Sequence, residues 1–394
     1  MSTLALSDIS QRRRATWHLF AAVLIAVWAL TGFGLLLASA AGVAVTWWAI
    51  VHPFTLGGLT TAVIVYSTHF TEALTRTPAA SCGPVAARVL VLQAGILLLL
   101  LGDAGPAWSP LADAGAAAVI VVSLWHGVAL WRRLRGSLAG SVVVTVPFYL
   151  VAAGFLVLAV VFAWAAGRGV GSYDPLIAAH SRATVWGFTW LTVLGTIVSL
   201  LPTLSGAQIS ARARARCTRS LVVHSLGVVG AMVLLLIDAR LAALPLLLTV
   251  VAAVLLVQPI LGAALHGSRW RTSGIGVSAG VLWMIALSTM DAVALARGVD
   301  PRETIRILVP ALLGAGLLQL VTSVLLHLLP ILAGAGPPRA DRGGVARLVL
   351  INLGGIATLI SPGPAGLILM ALGLLLQGGA LVAAVVPRNR KEPS

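Results

Sequence analysis

The sequence predicts an all-α polytopic membrane protein, and three observations lead to that fold class. Hydrophobic residues make up 59% of the 394 residues and charged residues only 9%, whereas a soluble domain averages about 25% charged residues. Apolar stretches of about 20 residues, the length of a membrane-spanning helix, recur along the chain. Basic residues cluster in alternate connections between these stretches. We therefore expect a single transmembrane domain over residues 1–394.

Twelve apolar stretches have the length and composition of membrane helices. They run near residues 16–38, 48–70, 84–101, 108–131, 143–166, 175–201, 219–238, 242–265, 273–296, 304–333, 345–361 and 364–386. The first stretch follows three arginines, as a secretory signal does. It is about 20 residues long, however, and a signal core has roughly 7–15. We interpret it as the first membrane helix.

The placement of the basic residues predicts the orientation in the membrane. A net charge of +15 would suggest a nucleic-acid partner for a soluble protein. Here the arginines precede helix 1, follow the even-numbered helices and continue in the C-terminal tail. Under the positive-inside rule these segments are cytoplasmic. We expect a multi-pass protein of the cell (inner or plasma) membrane, with both termini cytoplasmic, lipid as its surroundings and no nucleic-acid partner.

An internal repeat is visible at a period of 128 residues. His52 and His180 open similar segments and are 128 residues apart, and the same offset relates Pro202 to Pro330. Each match joins helices that are four apart in the chain. Repeats of about 128 residues predict three arcs of four helices each.

Two histidines near the starts of helices 2 and 6 are candidate haem ligands. His52 and His180 have equivalent positions in the repeat, and histidines at matching depth on neighbouring helices are one way in which a bundle holds a haem. Arg182 could then pair with a haem propionate. Nearby Gly57 and Gly187 would admit a flat macrocycle or another helix. In the alternative interpretation the histidines only hydrogen-bond neighbours and the arginine extends to the interface.

Three further histidines lie toward the predicted cytoplasmic ends of their helices. His69, His126 and His327 are candidate metal ligands, with copper as the metal, or simply histidines at a tolerant interface. His52 and His69 are 17 residues apart on one helix, a rise of about 25 Å, so they cannot share one metal. Asp291 in helix 9 could carry protons or pair with an arginine, and we favour the pairing.

The histidine motifs carry a family resemblance. The segments VHPFTLGGLTTAVIVYSTHFTEALTRTP and HSRATVWGFTWLTVLGTIVSLLPTL resemble the membrane domain ahead of the cupredoxin domains in some copper nitrite reductases and multicopper oxidases. They are similar, more distantly, to NnrS-type membrane proteins and to subunit I of haem-copper oxidases. The resemblance implies an integral membrane protein that binds b-type haem, copper or both, in electron transfer or in nitric oxide, nitrogen-oxide or copper physiology. It implies roles for His52, His69, His126 and His180.

The chain departs from this family pattern in ways that bear on activity. An oxidase of the superfamily needs a histidine pair on helix 10 and adjacent histidines on helix 7, whereas this sequence has His327 and His224 alone. The third position of the repeat is Leu308. We therefore do not expect oxygen reduction, and whether the chain is an enzyme stays open. A cupredoxin or respiratory-chain partner would supply any catalytic copper.

Two other functions fit the same composition. A transporter or permease for a small solute would use a central path built from repeats, with ionisable groups or broken helices near mid-membrane. A non-catalytic subunit or assembly factor of a respiratory or copper enzyme would instead purify together with that enzyme.

Overall fold

The protein folds into helices throughout the part of the chain that the structure, a computed structural model, describes. The described residues are 3–78, 81–103, 105, 109–138, 140, 142–268, 270–336, 341–361 and 363–386. Twelve helices are found in these ranges: α1 Thr3–Ala40, α2 Trp47–Thr75, α3 Cys82–Gly102, α4 Ser109–Arg135, α5 Val143–Gly167, α6 Tyr173–Ser205, α7 Ala211–Leu235, α8 Ala243–Leu265, α9 Thr272–Ala296, α10 Pro301–Leu332, α11 Gly344–Ile360 and α12 Pro364–Val385. No strand occurs among them.

The helix lengths confirm an all-α polytopic membrane protein. Eleven of the helices in the described ranges are long and apolar enough to cross a bilayer. The exception, α11, has 17 residues, which is near the lower limit for a spanning helix. Each predicted stretch corresponds to one of the twelve helices.

The start of α7 lies eight residues before its predicted position at residue 219. The apolar pattern predicts that the arginines from Arg212 to Arg216 lie in a connection, but the helix already begins at Ala211. The Ser210 side chain accepts a hydrogen bond from the Ala213 N–H at 3.3 Å, which caps the helix. Alanine and arginine are both good helix formers, so the basic run forms the first turns of α7.

The end of α6 lies four residues beyond its predicted position at residue 201. The helix passes Pro202 and ends at Ser205. Gly206 adopts the left-handed conformation with φ of 69°, and the Ala207 N–H donates to the Pro202 carbonyl at 2.9 Å. This is a glycine-terminated C-cap, in which a positive φ favours glycine.

The chain divides into two compact units. The large unit comprises residues 24–268 and 284–309, and the small unit comprises residues 1–23, 269–283 and 310–394. Small residues allow close helix packing within the large unit. A Cβ atom on Gly115 of α4 would lie 2.7 Å from the Gly95 carbonyl oxygen of α3, and one on Gly227 of α7 would lie 2.6 Å from Thr249 of α8.

A seven-residue π-helical segment interrupts each of α2, α6 and α10. The segments are Pro53–Leu59, Ala183–Thr189 and Leu312–Leu318, so their first residues are 130 and 129 residues apart. The fifth residue of each is a glycine: Gly57, Gly187 and Gly316. This period agrees closely with the repeat found in the sequence, while the three-arc arrangement stays a prediction. Short π-helical stretches inside α-helices are frequent at functional sites.

Candidate functional site

His52 and His180 lie close together in the large unit, as their matching positions in the repeat suggested. Their ring centroids are 6.3 Å apart and their planes differ by 20°. His52 is the last residue of α2 before its π-helical segment, and His180 lies three residues before the segment in α6. Both imidazoles are therefore held next to a backbone irregularity of the same kind.

Both histidines have the hydrogen bonding of a metal-ligating imidazole. Nδ1 of His52 lies 2.8 Å from the Trp48 carbonyl oxygen, and Nδ1 of His180 lies 2.8 Å from the Ala159 carbonyl oxygen. A carbonyl only accepts, so each Nδ1 carries the proton and each Nε2 keeps its lone pair. Within the described ranges, no side chain or backbone group hydrogen-bonds either Nε2 atom. A carbonyl that accepts from Nδ1 fixes the tautomer and orientation of a ligating histidine.

The spacing of the two rings suits a metal centre between them. Two imidazoles that face one metal ion with bonds of about 2 Å have centroids roughly 6 Å apart. The described residues contain no group of three or more histidine, cysteine, aspartate or glutamate side chains placed to hold a metal ion. Two histidines match the axial ligand set of a haem better than the closed four-ligand set of a structural zinc.

The glycines near the histidines accommodate neighbouring helices. A Cβ atom on Gly57 would lie 2.5 Å from the Trp28 ring of α1, and one on Gly187 would lie 2.5 Å from the Phe155 ring of α5. Of the two roles proposed for these glycines, the close approach of another helix is the one observed. The Trp48 ring also stacks on the His52 ring, with centroids 4.3 Å apart.

Arg182 has a protein partner. Its Nε and Nη2 atoms donate to the two carboxylate oxygens of Asp291 at 3.1 and 2.5 Å, and Nη1 donates to the Pro301 carbonyl at 2.9 Å. The Trp186 indole N–H donates to the same carboxylate at 2.8 Å. Arg182 and Asp291 are 0% exposed. The pairing predicted for Asp291 is confirmed. Arg182 therefore binds a carboxylate of the protein, and not the haem propionate with which it was predicted to pair.

His126 uses both ring nitrogens within the protein. Arg88 donates to its Nδ1 at 3.1 Å, and its Nε2 lies 2.9 Å from the Ser67 hydroxyl. His126 is buried and has no lone pair left for a metal in this arrangement.

His69 and His327, the other two candidate metal ligands, have different surroundings. The His69 ring lies beside Phe70, with centroids 6.1 Å apart. His327 belongs to the small unit, and its buried Nδ1 has no hydrogen-bond partner among the described residues. Metal binding by His69 or His327 stays a prediction, whereas His126 would first have to lose its contact with Arg88 or Ser67.

Two similar polar clusters were only partly anticipated. In each, a tryptophan N–H donates to an amide side chain, which donates to a polar side chain of the helix carrying a π-helical segment. We call them the tryptophan–amide clusters: Trp28, Gln93 and Thr61 in the large unit, and Trp283, Asn352 and Gln319 in the small unit. Amide side chains in membrane helices are expected to join helices by hydrogen bonds, and the bond from Asn352 Nδ2 to Gln319 Oε1 at 2.9 Å confirms this for both residues.

The other members of the tryptophan–amide clusters were missed. The tryptophans are 255 residues apart and the amides 259. Both separations are close to twice the repeat period, which is the signal that could have revealed them.

His224 of α7 was also missed as a structural group. It is fully buried, and its Nε2 lies 2.9 Å from the Trp186 carbonyl oxygen, inside the π-helical segment of α6. Its Nδ1 lies 3.3 Å from the Thr249 carbonyl oxygen of α8. His224 therefore connects α6, α7 and α8 at the widened turn, where a backbone carbonyl needs a donor.

Comparison with known proteins adds no family to this description. No protein-family model matches the chain, and no curated protein sequence matches it.

Proposed function

We propose that the protein is a haem-binding electron-transfer protein of the membrane, with His52 and His180 as the axial ligands of one b-type haem. The observation that carries the proposal is the close and nearly parallel pair of imidazoles. Both donate Nδ1–H to a carbonyl and keep an Nε2 lone pair, with ring centroids 6.3 Å apart. The resemblance of their motifs to haem- and copper-associated membrane domains supports the same assignment.

Two axial imidazoles favour electron transfer over gas binding or oxygen chemistry. When bound, haem supplies a one-electron couple between ferric and ferrous iron. The two histidines would fill both axial positions and leave none open for a diatomic ligand. The carbonyls of Trp48 and Ala159 hold the rings in place, so little reorganisation accompanies a change of charge. We infer a relay to a membrane-associated partner, such as a cupredoxin or respiratory-chain protein, in nitrogen-oxide or copper physiology.

The test is the reduced-minus-oxidised visible spectrum of the protein purified in mild detergent, with metal analysis of the same sample. We expect one haem per chain with sharp b-type bands, and loss of these bands in His52→Ala and His180→Ala. His266→Ala is the matched control. His266 makes the same kind of Nδ1 contact, 2.7 Å from the Gly262 carbonyl oxygen, but is exposed at the end of α8.

Two results would contradict the assignment. The first is a colourless, metal-free protein from cells with ample haem. The second is a normal haem spectrum in both histidine variants, which would mean that other residues are the haem ligands. Binding of carbon monoxide by the reduced wild-type protein would argue against two histidine ligands, because it needs an open axial position.

We also propose that the chain lies in the cell membrane with both termini in the cytoplasm, from the distribution of its arginines. Cys82 at the start of α3 is partly exposed and Cys217 is buried, so Cys82 is a natural labelling site. In intact cells a membrane-impermeant maleimide should leave Cys82 unlabelled, and it should react after the cytoplasmic side is opened. Labelling of Cys82 in intact cells would place this residue outside the cell and contradict the proposed orientation.

A second candidate function is a permease for a small solute. The observation in its favour is the buried Arg182–Asp291 pair beside the π-helical segment of α6, because ionisable groups inside membrane helices often mark transport paths. A protein without haem that carries a solute into proteoliposomes, and loses that uptake in Asp291→Asn, would establish it.

A further inference from the structure

The arginine of the buried ion pair of the large unit is close in the chain to a proposed haem ligand, at a rise of about 3 Å along α6. Arg182 follows His180 by two residues in α6, and Asp291 comes from α9. The two side chains make two parallel hydrogen bonds at 3.1 and 2.5 Å and are 0% exposed. This geometry fixes both charges in a space from which water is excluded.

Charges in such a place act on their surroundings more strongly than charges in water. The Coulomb energy of two charges scales inversely with the local dielectric constant, which is several times lower in a protein interior than in bulk water. A guanidinium close to a haem favours the reduced state, because reduction removes one positive charge from the iron. A carboxylate favours the oxidised state. Held together as a pair, the two effects largely cancel.

We propose that Arg182 and Asp291 act on the reduction potential of the haem bound by His52 and His180 with opposite contributions, which the ion pair keeps balanced. This inference rests on the proposed function. Trp186 takes part because its N–H donates to the Asp291 carboxylate at 2.8 Å, which disperses the negative charge. Asp291 therefore receives three donors, two from Arg182 and one from Trp186.

The experiment is a redox titration of the haem-loaded protein, followed by its visible spectrum. Asp291→Asn leaves the arginine charge uncompensated, so the midpoint potential should rise. Arg182→Gln leaves the carboxylate uncompensated, so the midpoint should fall. The double variant R182Q/D291N should return to near the wild-type value. A purely structural role would not give shifts of opposite sign that cancel in the double variant.

Charge-conserving variants and an exposed pair provide the controls. Arg182→Lys and Asp291→Glu keep both charges and should keep a midpoint near that of the wild type. Asp113→Asn removes the carboxylate partner of the exposed Arg168 and should leave the midpoint unchanged. If a single neutral variant does not accumulate, Trp186→Phe removes one donor to Asp291 without removing a charge and should lower the midpoint.

A second readout is independent of the haem. In the haem-free protein, each single neutral variant should melt at a lower temperature than the double variant, because it leaves one charge unpaired. Midpoints that are unchanged, or that shift in the same direction in both single variants, would overturn the inference while leaving the haem assignment intact. Absence of haem from the wild-type protein would overturn both.

Discussion

The large and small units carry the same kind of polar cluster but differ in what surrounds it. Each tryptophan–amide cluster joins a tryptophan N–H to an amide, at 2.5 Å in the large unit and 2.6 Å in the small unit. The large unit also contains the neighbouring imidazoles of His52 and His180 and the buried Arg182–Asp291 pair. Leu308, which also belongs to the large unit, stands at the position in α10 that corresponds to these histidines in the sequence repeat.

This difference distinguishes structural features that recur in each repeat from features that occur in only one part of the chain. A glycine inside a π-helical segment recurs in α2, α6 and α10. Buried ionisable groups are costly in a membrane helix, and a repeat does not require them for packing. The histidines and the ion pair are therefore the residues to associate with function, and the tryptophan–amide clusters are the residues to associate with the scaffold.

The largest expected effect comes from removing one partner of the buried pair. Asp291→Ala leaves the guanidinium of Arg182 inside the large unit without a counter-ion. Breaking a buried pair in this way costs about 3–5 kcal/mol. We expect thermal unfolding of the haem-free protein in detergent to shift strongly downward, or the variant to accumulate poorly.

The matched control replaces both charges together. Arg182→Leu with Asp291→Leu removes the pair without leaving a buried charge, and such replacements are often neutral or stabilising. It should unfold at a higher temperature than Asp291→Ala. Equal losses in the two proteins would mean that the side-chain shapes, and not the charges, matter at this position.

The glycines of the π-helical segments give the next largest effect. In Gly187→Ala the new methyl group would lie 2.5 Å from Cγ and 2.8 Å from Cβ of Phe155, and Cβ cannot move without the α5 backbone. Overpacking of this kind costs about 1–3 kcal/mol. Gly57→Ala meets the Trp28 ring at 2.5 Å and should cost a similar amount.

The control for both glycine variants is Gly154→Ala on the exposed side of α5. A Cβ atom there meets nothing within 4 Å, and alanine is the better helix former. This variant should unfold at the wild-type temperature or slightly above it. Stability unchanged by Gly187→Ala would mean that α5 can move away from the π-helical segment.

Much of the fold was accessible from the sequence because bilayer thickness fixes helix length. Each of the twelve helices was located, and errors arose where local capping overrode the apolar pattern. Ser210 starts α7 within a basic run, and Gly206 ends α6 beyond a proline. The π-helical segments were not predicted, because their register depends on packing against rings such as Trp28 and Phe155, which periodicity does not reveal.

The candidate site was predictable only in part. The offset of 128 residues identified His52 and His180 as a pair. The partner of Arg182 lies 109 residues away in α9, and no spacing rule connects the two helices. The acceptors of the two Nδ1 protons are backbone carbonyls, which leave no signal in the residue types.

The two tryptophan–amide clusters should respond alike if they belong to the repeated scaffold. Trp28→Phe and Trp283→Phe each keep an aromatic ring but remove the N–H that binds Gln93 or Asn352. An amide oxygen left without its donor in a part-buried site costs about 1–2 kcal/mol. We expect similar losses of unfolding temperature in the two variants. A loss at only one tryptophan would show that the two clusters are not equivalent.

The smallest effect on stability is expected at the Arg168–Asp113 pair, which has the same residue types as the Arg182–Asp291 pair but is partly exposed. Arg168 binds Asp113 through hydrogen bonds that raise the pKa of the arginine, but the two side chains are 35% and 43% exposed. Water and salt screen such a pair, so its contribution to stability is small. Asp113→Asn should therefore unfold at the wild-type temperature at physiological ionic strength, with a slight loss appearing only at low salt. A large loss of unfolding temperature at high salt would mean that the Arg168–Asp113 pair is shielded from solvent as the Arg182–Asp291 pair is. The difference in burial would then not explain any difference between the two pairs.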